Sequence, residues 1–216
     1  MLIQPDFRTQ AHKPNADRRF EAELVSHAKP SAVDLYSAGS TIYAQGDTTG
    51  HLYVVEFGTV RVCRVTADGR RQISAFHFAG EVFGFEAGQD RHFCAEAVDG
   101  VGIRVLRPTL DDSYAQTVLP LALEGLTRAQ EHLLLLGRKS GEEKVAAFLL
   151  DMAERQGTFN WVELPMQRHD IADYLGLSFE TVSRILTRMK TARIVRLPHV
   201  KRIELLDLAK LEALCD

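Results

Sequence analysis

Along residues 167–190 the apolar positions Ile171, Ala172, Leu175, Val182, Ile185 and Leu186 recur at helical spacing on either side of a tight Leu175-Gly176-Leu177-Ser178 turn. This pattern predicts two short helices that share one apolar side. Ser178 is a good N-cap for the second helix, because its hydroxyl can accept a bond from a free backbone N–H. Glu180, Thr181, Ser183, Arg184, Thr187 and Arg188 then face outward. The unit reads as a helix-turn-helix, whose second helix enters the DNA major groove and touches base edges with its N-terminal residues.

Upstream the period changes. Residues 33–108 hold short β-branched and aromatic runs, Thr41-Ile-Tyr, Leu52-Tyr-Val-Val, Thr59-Val-Arg-Val and Gln72-Ile-Ser-Ala-Phe, punctuated by glycines. Regular short strands with turn signals predict a β-sandwich or barrel, and Asp68-Gly69 is a hairpin turn signal. Over residues 113–137, Leu119, Leu126 and Leu133 repeat every seven positions, with Ala122, Ala129 and Leu136 as a second row. That seam predicts a helix that pairs with a copy of itself, the alternative being a helix packed on its own domain. Pro120 is expected in its first turn. Gly137 ends this helix, and Ser140 with Glu143 opens the next as a capping box, running to about Arg155. Trp161-Val-Glu-Leu reads as a short strand. Ile194-Val-Arg-Leu and Arg202-Ile-Glu-Leu-Leu read as a hairpin turning at Pro198-His199, making the helix-turn-helix a winged helix. The proline-rich residues 1–32 are expected to start loosely and form a short helix near Arg19–His27.

The domain division expected is therefore 1–32, an N-terminal segment; 33–112, the β domain; 113–137, the dimerisation helix; and 138–216, the winged helix. Charge follows this division. Residues 1–137 carry 13 Lys and Arg against 17 Asp and Glu, whereas residues 138–205 carry 12 against 9. Positive charge thus gathers around the helix-turn-helix, and phosphate attraction is local enough for that to serve on a protein of net charge −3. No apolar run reaches the about 20 residues that cross a bilayer, and the first residues lack a hydrophobic signal segment, so a cytoplasmic protein with no membrane partner is expected. Cys63, Cys94 and Cys215 are scattered without a CxxC, against a disulfide framework or zinc ribbon. Cys63 and Cys94 are expected as small core residues. No Gly-rich phosphate loop, GxSxG elbow or HExxH is present, and the acidic pairs Glu142-Glu143 and Asp111-Asp112 point apart on a helix. No enzyme, metal or cofactor is expected.

A β-roll, a long dimer helix and a C-terminal winged helix, in that order, resemble the CRP/FNR family of bacterial transcription regulators over about residues 20–210. The resemblance is carried by Ile42-Tyr-Ala-Gln-Gly46-Asp, Leu52-Tyr-Val-Val, Gly58-Thr-Val, Gly80-Glu-Val-Phe-Gly84 and the whole of 165–190. Asp170-Ile-Ala-Asp-Tyr-Leu-Gly-Leu followed by Glu180-Thr-Val-Ser-Arg184 looks most like the FNR/FixK branch. It implies an α+β fold: an N-terminal β-roll of the jelly-roll, cyclic-nucleotide-binding-like kind, a long dimerisation helix and a winged helix-turn-helix.

The resemblance also implies roles. Glu180 and Arg184 match the family's recognition pair, Glu accepting from a cytosine amine and Arg forking onto guanine. Their i, i+4 spacing also lets them brace each other. Ser183 matches the serine of the FNR branch, and Phe179 could touch a thymine methyl or pack. The implied half-site is TTGA(T) facing ATCAA in a palindrome read by a homodimer. Gln167, Arg168, Ser178, Thr181, Arg188 and Lys201, with Arg202 beside it on the wing, are the expected phosphate contacts. Glu81, Arg91 and His92 fall where cyclic-nucleotide-binding relatives hold ribose and phosphate, but Phe83 and His92 replace the small residue and hydroxyl expected there. They are expected to form a vestigial pocket closed by a Glu81–Arg91 ion pair, the alternative being a cAMP-dependent regulator of the CRP type. His92 and Cys94 on one strand face suggest a metal or haem sensor as a third reading. Residues 1–35 lack the cysteine cluster of the iron–sulfur members. The expectation is thus an effector-free activator of the FixK type that recruits RNA polymerase at genes of microaerobic or anaerobic respiration, denitrification or nitrogen fixation.

Overall fold

The computed structural model describes residues 32–107, 112–138 and 140–215. The helix expected near Arg19–His27 lies outside them. Eight strands come first: β1 (Val33–Tyr36), β2 (Thr41–Tyr43), β3 (Leu52–Phe57), β4 (Thr59–Val65), β5 (Arg71–Phe78), β6 (Val82–Phe83), β7 (Cys94–Ala97) and β8 (Val101–Leu106). They form two antiparallel four-stranded sheets, ordered β1-β8-β3-β6 and β2-β7-β4-β5. Alternation along the strands sends Val55, Val60, Phe83, Ala95, Ala97 and Ile103 into the space between the sheets. This is the expected β-roll. Gly58 shows why a turn residue is needed: at φ +84° its Cα faces the Gly100 carbonyl, which a Cβ would meet at 2.3 Å.

The long helix α1 (Asp112–Leu136) follows. Its Leu121 joins Leu52, Val54, Val82 and Leu106 in one apolar cluster, so one stripe of the helix packs on its own β-roll. Pro120 sits in the helix interior rather than the first turn, because the helix begins at Asp112. One i→i−4 bond is absent there without ending the helix. Helix α2 (Gly141–Arg155) starts at Ser140, whose Oγ accepts the Glu143 N–H at 3.1 Å as the capping pattern predicted.

The C-terminal part contains β9 (Trp161–Glu163), α3 (Arg168–Leu175), α4 (Phe179–Thr191), β10 (Val195–His199), β11 (Arg202–Leu205) and α5 (Leu208–Ala213). The wing is a three-stranded sheet ordered β10-β11-β9. Its turn falls at Val200-Lys201, after the predicted Pro198-His199. Pro198 is tolerated inside the edge strand β10 because the ladder shifts register between Arg196 and His199. Helix α5 has too short a periodic segment to be read in advance.

A second apolar cluster joins the two halves. Phe76 of β5, Phe148 of α2 and Tyr174 of α3 meet, with ring centroids 5.3 Å (Phe76–Tyr174) and 5.7 Å (Phe148–Tyr174) apart. The His132 ring from α1 stacks on Tyr174 at 4.0 Å, and its Nε2–H donates to the Tyr174 carbonyl at 2.8 Å. Glu81, on the turn after β5, receives Arg155 of α2 at 2.9 Å and Arg128 of α1 at 3.1 Å, with His77 Nδ1 at 3.5 Å.

Burial works to raise the Glu81 carboxyl, but Arg155, His77 and Arg128 overrule it and hold it well below the usual carboxylate range. Burial pushes His77 and His132 down, so folding favours their neutral forms. The unfolded chain takes up their protons near about pH 6.5, so the stability tied to neutral burial is lost as pH falls through that value. The Glu81 contribution, present above about pH 4.3, is lost below it. We expect the thermal midpoint to decline in these two stages on acidification. A midpoint flat between about pH 7.5 and 5 contradicts the neutral burial of the histidines.

Candidate nucleic-acid interface

The candidate surface is built on a helix with one buried and one open side. Val182, Ile185, Leu186 and Met189 of α4 are buried against α2 and α3, which leaves the opposite side to solvent. Gly176, at φ +62°, takes the left-handed conformation that ends α3, and its N–H bonds the Ala172 carbonyl. Ser178 Oγ then accepts the Thr181 N–H at 3.2 Å and opens α4. The turn thus sets the angle between the helices through one glycine and one hydroxyl.

Glu180 and Arg184 are exposed, and Ser183 is half-buried between them on the same face. Arg184 Nη2 lies 3.5 Å from Thr181 Oγ1, so it leans on that hydroxyl rather than on Glu180 as the spacing suggested. The backbone N–H of Glu180 itself, and then the Ser178 hydroxyl, hold the Glu180 carboxyl below its ordinary range. It is therefore a ready acceptor. Phe179, 37% exposed, lies against the His169 ring at 4.2 Å. It packs, with one edge left open.

The expected phosphate contacts border this face. Gln167 is exposed and its backbone N–H donates to Asp170 at 3.2 Å. Arg168 Nη1 lies 3.5 Å from Ser183 Oγ. Ser178 and Thr181 hydroxyls bond each other at 3.0 Å. Arg188 is 3.8 Å from Glu142, an exposed pair of little energetic weight. Lys201 is exposed at the wing turn. Arg202 instead covers the Trp161 ring at 4.4 Å.

The sequence reading missed what seats this unit. Asp170, 3% exposed, lies between two arginines of the β-roll: Arg61 Nη1 at 3.1 Å and Arg71 Nη2 at 2.6 Å. Arg71 also reaches Asp173 at 2.7 Å, and Gln72 donates to the Asp173 carbonyl at 2.6 Å. Strand alternation could have placed Arg61 and Arg71 on one sheet face. Nothing in the sequence said that α3 would cover that face.

The expected effector trio does not come together. Glu81 belongs to the arginine junction described above and not to Arg91. Arg91 is 2% exposed, donates to the Gly84 and His51 carbonyls at 2.7 Å each, and stacks on Tyr43 at 4.3 Å. Its acidic neighbour is Glu86, at 3.5 Å. The expected Glu81–Arg91 ion pair does not form, because the turn after β5 carries Glu81 away toward α1 and α2. His92 is exposed, and its backbone N–H donates to Glu86 at 2.6 Å. A cavity of about 470 Å³ lies beside this cluster, lined by His51, Leu52, Phe85, Glu86 and Val118 among others.

On α1 the leucines of the first seam row stand outward, with Leu119 59%, Leu126 55% and Leu133 68% exposed. Ala129 is exposed too, whereas Ala122 and Leu136 are half-buried. Leu136 lies near the Gly176 turn. Leu121, His132 and Leu135 form the stripe that faces the chain's own domains.

Two family models match the chain: the Crp-like helix-turn-helix domain over residues 143–214 and the cyclic nucleotide-binding domain over residues 33–106. The nitrogen fixation regulation protein FixK of Rhizobium meliloti is 44% identical over 187 residues, covering 87% of this chain and 89% of that protein. The chain belongs to the CRP/FNR family of transcription regulators. FixK of Azorhizobium caulinodans is 43% identical over 205 residues, covering 89% of this chain and 82% of the relative. The solved structure of FixK2 from Bradyrhizobium japonicum superposes with a TM-score of 0.81 at 35% identity, covering 87% of this chain and 98% of that one. This CRP/FNR chain is thus a DNA-binding transcription regulator of the FixK branch, and its named relatives are regulators, not enzymes. Among the described residues, no helix is long and apolar enough to cross a membrane.

Because Asp170 is the buried partner of two cations, Asp170→Ala should destabilise the chain by about 2–3 kcal/mol. Urea unfolding checks this. A midpoint shift no larger than that of an exposed control such as Glu180→Ala would show that Arg61 and Arg71 do not depend on it.

Proposed function

We propose that this chain is a homodimeric transcription activator that reads a TTGA(T)-N-(A)TCAA palindrome without a bound effector, in the control of genes for oxygen limitation and nitrogen fixation. The observation that carries the reading is the two-sided helix α4: its apolar side is locked into the core, and Glu180, Ser183 and Arg184 share the open side. Arg184 reads a guanine through its paired donors, Glu180 accepts from a cytosine amine, and Ser183 and the open edge of Phe179 meet neighbouring bases. Gln167, Arg168, Ser178, Thr181, Arg188 and Lys201 hold the phosphates on either side and set register.

The dimer forms along Leu119, Ala122, Leu126, Ala129, Leu133 and Leu136 of α1, whose outward leucines Leu119, Leu126 and Leu133 are more than half exposed among the described residues. A two-fold pair of this kind places the same helix of each subunit in successive major grooves, which is why the site is a palindrome. Functionally the units are residues 33–112, 113–137 and 138–216, with surface loops meeting RNA polymerase. Effector independence is supported by Glu81 and Arg91: the first is tied to Arg155 and Arg128, the second to two carbonyls, so the pair offers no joint cradle for a nucleotide. The nitrogen-fixation context follows the names of the FixK relatives, and the oxygen-limitation context follows the resemblance to the FNR/FixK branch.

Selecting bound sites from random duplexes with purified protein and no added ligand tests the reading. Recovery of the TTGA palindrome supports it; recovery of a site only after cAMP is added defeats the effector-free part.

Arg184→Ala is expected to lose about 1–3 kcal/mol of discrimination at one guanine per half-site. A gel-shift series over single-base variants reads it, and equal weakening at every site would assign Arg184 to phosphate.

Leu126→Asp should place a charge in the seam and yield a monomer by analytical sedimentation. A variant that still sediments as a dimer would move the interface elsewhere.

A further inference from the structure

Strands β4 and β7 pair antiparallel with Arg61 opposite Glu96 and Cys63 opposite Cys94. Side chains two apart on a strand share a face, so these four form a square on the sheet face turned toward α3. One half of the square is ionic: Arg61 Nε donates to Glu96 at 2.8 Å while Nη1 reaches Asp170. The other half is sulfur: the two Sγ atoms lie 3.0 Å apart, and the Cys94 thiol donates to the Cys63 carbonyl at 3.1 Å. Both cysteines are free. Cys63 is fully buried in the apolar cluster that contains Tyr174 and Phe148, and half-buried Cys94 packs at its edge. Directly opposed strand residues hold their Cβ atoms near the spacing that a disulfide bridges.

We propose that Cys63 and Cys94 form a redox-active dithiol that a peroxide closes to an intrachain disulfide, and that closure loosens the seat of the helix-turn-helix on the β-roll. The half-exposed Cys94 reacts first. Its thiolate sulfur attacks one peroxide oxygen, an S–O bond forms, the O–O bond breaks, and the departing hydroxide leaves as water with the thiol proton. The Cys63 sulfur then attacks Cys94 Sγ. The S–S bond forms, the S–O bond breaks, and the departing hydroxide takes the Cys63 proton as a second water. Two thiols and one peroxide become one disulfide and two waters, and two electrons pass from sulfur to peroxide. Burial pushes the Cys63 thiol up, so it is not the sulfur that meets peroxide first; its place in the second step rests on the 3.0 Å contact with Cys94 Sγ.

The effect on the regulator follows from the square. Closing the sulfur rung draws β4 and β7 together next to the Arg61–Glu96 rung, and Arg61 holds Asp170 of α3. A shift there is felt by the buried ion pairs that orient the recognition unit. Glu96 lies close enough to both thiols to suggest a metal site instead, but its carboxylate is already held by Arg61, whose charge opposes a cation there.

The test uses the whole chain with the third thiol removed by Cys215→Ser, reduced and then treated with hydrogen peroxide. Intact mass should fall by two hydrogens, peptide mapping should find Cys63 joined to Cys94, and dithiothreitol should restore both thiols. In the same background Cys63→Ser, or Cys63→Ala if that variant does not fold, should give oxygen adducts on Cys94 and no crosslink. The oxidised chain should bind its selected duplex severalfold more weakly, reversibly. The second readout rests on the proposed DNA reading, and binding by the reduced chain tests that reading separately. Persistence of both thiols, adducts without a crosslink, or a stoichiometric zinc ion that protects the pair would overturn the dithiol. A crosslink that leaves affinity unchanged would overturn its link to the helix-turn-helix.

Discussion

A carboxylate taken almost wholly out of water must be met by cations, and in this chain both cations come from another domain. Asp170 sits in the first turn of the helix that precedes the recognition helix, and it is satisfied by Arg61 and Arg71 of the β-roll. Arg61 and Arg71 each keep a second acid, Glu96 and Asp173, so it is the buried Asp170 that would be left with an uncompensated charge if the domains separated. The helix-turn-helix therefore has one favoured seat, and the direction in which Glu180 and Arg184 point is set by side chains about a hundred residues away in sequence.

Two further contacts share that task. Tyr174, four residues after Asp170, is covered by His132 from α1 and by Phe76 from β5. Glu81 gathers Arg128 from α1 and Arg155 from α2. Each of these ties the β-roll, the long helix and the winged helix at a single point. A change at any one domain is thereby transmitted by packed groups with few alternative positions.

The same economy explains the apparent pocket. The β-roll keeps Arg91 and a cavity beside it, but the arginine is spent on two carbonyls and on the Tyr43 ring, and Glu81 is spent on the interdomain junction. Gly84 stays glycine because a Cβ would meet Tyr53 at 3.0 Å and Arg91 at 3.3 Å. Glu81 and Arg91 are thus both engaged in contacts within the chain.

What the chain alone determined was local. The helix-turn-helix was legible because its apolar positions, its left-handed glycine and its capping serine all act within a few residues of one another, and the buried set Ile171, Ala172, Leu175, Val182, Ile185 and Leu186 matches the periodicity. The strands of the β-roll and the outward leucines of α1 were legible for the same reason. The tertiary structure alone decided which charges meet: Asp170 with Arg61, Glu81 with Arg155 instead of Arg91, Cys63 with Cys94. Ion pairs and thiol contacts depend on strand register and domain docking, which bring together residues that carry no shared period, and a charge in a sequence does not disclose its partner.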